Sequence, residues 1–496
     1  MKKIVIIGGG IAGLSAGIFA QKNGFESVIL EKHNISGGEC TGWDRNGYHI
    51  DGCIHWLVGT KENTPMYNLW KNLGALEDVD IYHPDTFLSF YHKDDVVHIY
   101  RDIEKLKSSW IKISPKDKDF IEEFCNDLLK LDSFEIDAEK PMDLMSLKEK
   151  IKKILSMKDA GMILKKYGKM NLKEFSEKFK HPAFKELFAT FAPGKYSAAF
   201  LFFALATFTK GESSIPMGGS KAMALRMEKK YLNLGGKIFN NHEVVDVKID
   251  KKSVDYIICK NGKSFKADYY IAACDANVLF KRLLKGNYND KAYEMRFNNS
   301  EDYPLASNVY VGIGYEDEIK NLPRSFKFAI RPFKINQNMV EHLLINHYSY
   351  EPDFAPDGHS VLTCAINQYD DDYDYWKKLS SDSKRYKSEK NRIGNEVINA
   401  LAEKFPHMSG KLKLLDVVSP ITYEKYCNAY RGSFMAFFPT FDGKMMAHTG
   451  KIKGLDNLLL SGQWLQPPGG LPIAAITGKD SIMRICKLEK RVFKNR

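Results

Sequence analysis

Hydrophobic and polar positions follow two periods along this chain, and their order predicts a mixed α/β protein. Lys3–Ile7 (KIVII) is a short apolar run rich in β-branched residues, the pattern of a strand buried on both faces. Leu14–Lys22 has helix-forming composition with a stop at Gly24, and Phe25–Leu30 reads as a second strand ending at Glu31. Similar runs return at Ala267–Asp275 and Leu458–Trp464, the latter a buried strand ending in a turn, followed by prolines and a small-residue helix from Ile473 to about Cys486. Ser307–Gly314 and Ser360–Gln368 read as strands of a further sheet, whereas Pro115–Leu131 and Leu144–Phe188 carry helical periodicity. Tyr196–Phe208 (YSAAFLFFALATF) is too short for the ~20 residues of a spanning helix. Its expected place is a helix lining an internal cavity. Asp370–Asp374 reads as a solvated acidic loop, and no internal repeat is visible.

Between the first strand and the first helix lies Gly8-Gly9-Gly10-Ile11-Ala12-Gly13, a G-x-G-x-x-G string. In a strand–turn–helix context each glycine has a task. Gly8 makes the tight turn, Gly10 lets the backbone approach a pyrophosphate, and Gly13 permits close helix–strand packing. The positive end of the helix, at Ile11 and Ala12, then faces the phosphates. Glu31, at the tip of the second strand, can accept hydrogen bonds from ribose hydroxyls. Strand, motif, helix, strand and acid in that order predict a Rossmann-type dinucleotide-binding unit.

The chain's 496 residues allow two or three domains, and its net charge of +11 admits an anionic membrane surface or ligand without requiring either. Nucleic acid is not an expected partner, since there is no zinc-ligand spacing, RNP-like string or basic–aromatic array. Eight scattered cysteines without a C-x-x-C pair suit reduced thiols in a cytoplasmic protein, and argue against a metal site or a dithiol relay. The N-terminal lysines and apolar run superficially copy a signal peptide, but Gly8–Gly10 interrupt the run where a strand-to-turn junction needs them.

Glu31–Gly38 fits the E-x-x-x-x-x-G-G extension of FAD-dependent amine oxidases and phytoene desaturases, and Gly47-Tyr48-His49-Ile50-Asp51 fits a second element of theirs. Pro216–Ser220, Pro420–Tyr426, Arg431–Ser433 and the run from Leu458 to Pro472 continue the likeness. The chain thus resembles, over nearly its full length, the phytoene desaturase, carotenoid isomerase and retinol saturase group. That resemblance implies an FAD-binding domain discontinuous in sequence (1–60, 214–285 and 451–496). A sheet-plus-helix, α+β substrate domain (61–213 and 286–450) would hold a helical subdomain at about 115–190. It also implies FAD contacts at Gly8, Gly10, Ile11, Ala12, Gly13, Glu31, Lys32, Gly38, Cys40, Val244, Gly462, Gln463, Gly470 and Leu471. Val244 stands where relatives set a valine backbone against adenine. The amides of Gly470 and Leu471 would face the anionic edge of a reduced flavin at a helix start. Two positions depart from the pattern. Glu39 replaces a basic residue expected near the pyrophosphate, so that either Lys32 or Arg45 compensates or the contact is absent, and Gln463 replaces an acid.

The resemblance implies an oxidoreductase, a desaturase, saturase or isomerase, acting on a long apolar unsaturated lipid. Such chemistry needs a dry tunnel and at most one proton donor or acceptor, for which His55, just after the glycine–acid element, is the candidate. Tyr426 or Arg431 could reach a polar substrate end. The stretch from Lys148 to Lys180 is basic, with Leu147, Ile151, Ile154 and Leu155 on one helical face, so peripheral membrane contact is expected there. Two alternatives stay open: an amine-oxidase-like enzyme for a small polar substrate, and a lipid-binding non-enzyme like the GDP dissociation inhibitors.

Overall fold

The computed structural model describes residues 1–192 and 194–495. Its first sheet is five-stranded and wholly parallel, in the order Lys237–Phe239, Glu26–Leu30, Lys3–Ile7, Tyr269–Ala272, Leu458–Leu460. Strand alternation explains how it is covered. Ile4 and Ile6 point to one face, where Ile11–Lys22, Gly219–Asn233 and Gly470–Leu488 bury Leu14, Ile18, Met223, Tyr231 and Ile482 against them. Val5 and Ile7 point to the other, under a three-stranded antiparallel layer that contributes Val244, Val247 and Ile257. Residues from the two ends of the chain therefore meet in one sheet.

The second sheet has seven strands, in the order Leu412–Val418, Ser307–Tyr315, Ser360–Gln368, Asn338–His347, Ser325–Ile335, Thr86–His92, Asp95–Tyr100. All pairs are antiparallel except Ser325–Ile335 with Thr86–His92. One face carries Val309, Val311, Phe326, Phe328 and Leu343 onto Ile393, Val397 and Leu401 of the long helix Ser383–Lys404. The opposite face is open to a cavity and holds the site described below.

Short helices between Ile103 and Thr209 pack around an aromatic core of Trp110, Phe124, Phe175, Phe179, Phe188 and Phe202. The apolar helix Ala198–Thr209 belongs to this core, buried on Leu201, Phe202, Leu205 and Ala206. It does not line the cavity, whose wall includes only Tyr196 from that run. Asp370–Asp374 is likewise not a loop but the first half of the helix Asp370–Leu379. Three acids in its first turn suit the positive end of the helix, and buried Asp372 accepts from Asn338 Nδ2 (2.8 Å) and Tyr369 N (3.0 Å).

Candidate functional site

A cavity of about 2000 Å³ runs from the glycine turn of the parallel sheet to the open face of the seven-stranded sheet. Pockets for drug-sized ligands usually span ~300–1,000 Å³. There is room for a dinucleotide and a second, long ligand. Of the residues singled out in the sequence, Gly8, Gly10, Ile11, Ala12, Glu31, Lys32, Gly38, Cys40, His55, Val244, Gly462, Gln463, Gly470 and Leu471 all line it. Gly13 does not; it works from behind.

The glycine turn is built as a cradle for an anion. Gly8 sits at φ +105°, with its α-carbon so close to Ala273 that a Cβ would lie 2.6 Å from that carbonyl oxygen. Gly13 presses the helix onto the strand: a Cβ there would be 1.9 Å from Gly8 O. At Gly10, by contrast, a Cβ would meet nothing nearer than 3.9 Å, so the space beside it is open to the cavity. Gly10 caps the helix Ile11–Lys22 without any side-chain hydrogen bond, which leaves first-turn amides directed at the cavity. Glu31 is held at the rim by Gly9 N (2.6 Å to Oε2) and His33 N (2.7 Å to Oε1). Each carboxylate oxygen keeps a further lone pair for a hydroxyl donor.

Around this cradle the individual residues divide. Val244 opens its strand with its side chain packed among Val5, Ile7 and Leu30. Cys40 is buried with Sγ against Ser220 O (3.3 Å). Lys32 turns its ammonium to Lys425 O (2.8 Å) and Asn428 Oδ1 (2.7 Å), and Arg45 pairs with Asp416 (2.8 Å). Neither replaces the missing basic residue at position 39. Burial, the nearby Asp275 carboxylate and a hydrogen bond from Gln463 leave Glu39 with a pKa of about 8, burial being the largest cause. Glu39 is therefore mostly protonated at neutral pH and can donate rather than repel. Gln463 accepts from Gly470 N (3.1 Å), so of the two amides expected to face an anion, Gly470 already has a partner. Gly462 N donates to Thr477 Oγ1 (2.9 Å), which ties the strand end to the terminal helix.

Asp51 and Ser220 fix the loop that enters the cavity. The Asp51 carboxylate accepts from Ser220 N (2.5 Å), Ser220 Oγ (2.6 Å), Cys53 N (3.1 Å) and Ile54 N (3.2 Å). It thereby joins the start of Gly219–Asn233 to the segment carrying His55. On the far wall, Ser325 and Lys327 pair across the ladder with Asn346 and Leu344, and all four line the cavity. His55 Nδ1 accepts from Asn346 Nδ2 (3.2 Å). Burial first, and the Arg324 charge second, push the His55 pKa down to about 4, so the ring is neutral at pH 7 with its proton on Nε2. Trp56, Phe87 and Phe191 form an aromatic group beside it, with centroids 4.8 Å apart for Trp56–Phe87. Tyr426 lines the cavity, but Arg431 is bound to Asp370 (2.9 Å) and Asp374 (2.7 Å) and lies outside its wall. Sequence reasoning missed Asn346, Arg324 and Lys327; only the folded sheet brings the first two beside His55 and all three to the cavity wall. Among the described residues there is no cluster of metal ligands.

An uncapped helix start, open space beside Gly10 and an acid at the second strand's tip fit a dinucleotide, and the remaining volume fits a second ligand. Comparison with known proteins agrees. 4,4'-Diaponeurosporene oxygenase of Staphylococcus haemolyticus is 21% identical, the match covering 99% of this chain and 98% of that one. A chloroplastic prolycopene isomerase of an Oncidium hybrid cultivar is 23% identical, over 87% of this chain and 74% of its own. The crystal structure of an oxidoreductase from Methanosarcina mazei shares the fold with a TM-score of 0.60, at 18% identity, over 97% of this chain and 100% of that one. The model of the flavin-containing amine oxidoreductases matches residues 11–480. The chain belongs to that family and is an FAD-dependent oxidoreductase.

Proposed function

We propose that this oxidoreductase acts on the carbon–carbon double bonds of a long, apolar, unsaturated lipid, by desaturation, saturation or isomerisation. The observation that carries the reading is one continuous cavity of about 2000 Å³, which runs past the glycine cradle between largely apolar walls. Relatives named for carotenoid substrates support it. In this reading 1–60, 214–285 and 451–496 carry the cofactor, and the rest carries the substrate. Gly10, Ile11, Ala12 and Gly38 would hold the FAD pyrophosphate, Glu31 the ribose, Val244 the adenine side, and Gly462, Gln463 and Leu471 the flavin end. Bound FAD supplies hydride transfer to or from carbon.

The chain's own residues do the rest. Ile54, Leu57, Phe87, Leu88 and Leu344 exclude water from an alkene, and the aromatic group at Trp56 gives its π-face a flat wall. His55 holds its proton on Nε2 as a neutral donor and does not take up a second one at pH 7, because burial and Arg324 oppose the imidazolium. It can orient a substrate or relay one proton at that atom. Mass spectrometry of lipids extracted from the purified protein tests the reading. A long unsaturated lipid is expected; a preparation carrying only small polar amines would overturn it.

A lipid-fed enzyme must collect its substrate from a bilayer, and the helix Leu147–Ser156 suits that contact. It buries no residue, and Leu147, Ile151, Ile154 and Leu155 are 51–76% exposed. Exposed Lys148, Lys152 and Lys158 flank them, matching an anionic surface. Lys153 is instead bound to Asp137 (2.6 Å).

A further inference from the structure

Among the described residues three arginines are almost fully buried, and two have conventional partners. Arg484 pairs with Asp143 (2.7 Å), and Arg296 donates to the carbonyl oxygens of Lys444 (2.7 Å) and Ala292 (2.9 Å). Arg324 has neither. It is 7% exposed, its Nε and Nη1 are buried without a hydrogen-bond partner, and no carboxylate pairs with it among the described residues. It lines the large cavity, just ahead of the strand Ser325–Ile335 and close to His55 and His347.

Burying a guanidinium without a partner is costly, and nothing in the packing requires a charge at this place. Asp51 and Glu351 act on the same Tyr350 as Arg324 does, but neither forms an ion pair with it. His55 and His347 are both held neutral, chiefly by burial, and Asn346 already donates to His55. The other buried cation of this wall, Lys327, is bound to Thr190 O and sits in the field of Glu186, which His92 and His342 clamp. One positive charge without an ion-pair partner therefore lines the cavity, with Nε and Nη1 buried and unbonded.

We propose that the substrate carries a terminal carboxylate, and that Arg324 is the residue that binds it. The ligand class is then an unsaturated fatty acid or polyene acid rather than a hydrocarbon, which deepens the lipid reading above and rests on it. A guanidinium fork matches a carboxylate in shape, and a single charge matches a monoanion better than a diphosphate. Apolar walls beside it would receive the chain, so the head group fixes how far the chain extends along the cavity.

The test uses FAD-loaded protein and three probes with one chain: linoleic acid, linoleyl alcohol and linoleyl phosphate, titrated by calorimetry. Wild type should bind the acid about ten- to a hundredfold more tightly than the alcohol. Arg324→Gln should erase that preference while leaving alcohol binding and flavin absorbance unchanged, and Arg324→Lys should keep part of it. Arg324→Met should raise the melting temperature of the ligand-free protein, because it removes an uncompensated charge; a structural arginine would give the opposite. Equal binding of acid and alcohol by wild type, tighter binding of the phosphate, or an acid preference that survives Arg324→Gln would each overturn the carboxylate assignment. Equal binding leaves the lipid reading standing, whereas failure of all three probes to bind would sink both.

Discussion

Gly10 and Gly13 lie three residues apart in one motif, yet the structure predicts opposite consequences for the same substitution. At Gly10 the backbone has φ −72° and ψ −177°, which any L-residue adopts, and a new Cβ would stop 3.9 Å from Gly37 O and Gly38 Cα. Gly10→Ala forfeits a favourable cap residue but also lowers the entropy of the unfolded chain, so apoprotein stability should change by less than about 1 kcal/mol. The methyl group would, however, occupy the space where a pyrophosphate meets the helix start. Loss of one charge-assisted hydrogen bond there is worth ~1.5–3 kcal/mol, or roughly ten- to a hundredfold in FAD affinity. At Gly13 a Cβ would lie 1.9 Å from Gly8 O, and only a shift of the helix could relieve it. Gly13→Ala should cost ~3 kcal/mol or more of stability. Urea unfolding of the flavin-stripped proteins and fluorescence titration with FAD separate the two. Full flavin affinity in Gly10→Ala, or an unchanged unfolding midpoint in Gly13→Ala, would refute this placement of the turn.

Other outcomes follow from the same geometry. The folded-state pKa of His55, about 4, lies below its ordinary 6.5, so the unfolded chain takes up the proton first as pH falls. Stability should therefore decline between about pH 6.5 and 4, by up to ~3 kcal/mol from this group, and His55→Asn should flatten that decline in denaturant melts. A slope unchanged by the substitution would show that the ring is not held neutral. Asp51→Ala leaves Ser220 N, Ser220 Oγ and Cys53 N without an acceptor, while Ile54 N keeps Ser220 Oγ (2.8 Å), and should cost ~3 kcal/mol, read as a lower unfolding midpoint; a cost under ~1 kcal/mol would contradict the anchoring role. Reversing Lys148, Lys152 and Lys158 to Glu should weaken binding to anionic liposomes by at least ~3 kcal/mol, with little change in melting temperature, and wild-type binding should fade as salt rises. Wild type that stays out of the liposome fraction at low salt would remove the membrane contact.

What could be read from the sequence was what is local. The strand at Lys3–Ile7, the glycine turn and the strand at Ser360–Gln368 each carry their signal within a few residues, as periodicity or as a glycine requirement. The apolar run before Lys210 announced burial but not its place, and hydrophobicity alone cannot separate a cavity wall from the aromatic core where it lies. The acids at Asp370–Asp374 suggested solvent because charge usually does; here they open a helix, and Asp372 is fully buried. The wall around His55 was beyond reach. Asn346 is 291 positions away from it, and nothing near Arg324 in sequence marks that arginine as buried and unpaired. Glu39 was visible as a departure from its relatives, but its protonation depends on burial beside Asp275, a contact made only by folding.

The central claim is that one cavity holds FAD and a long unsaturated chain together. Its most direct test is the flavin absorbance of the FAD-loaded protein under anaerobic conditions, titrated in parallel with unsaturated acyl chains of increasing length and with small primary amines. The account predicts that long unsaturated chains perturb or change the flavin bands while amines leave them alone. Bleaching of the flavin by the amines, with no response to any chain, would contradict it.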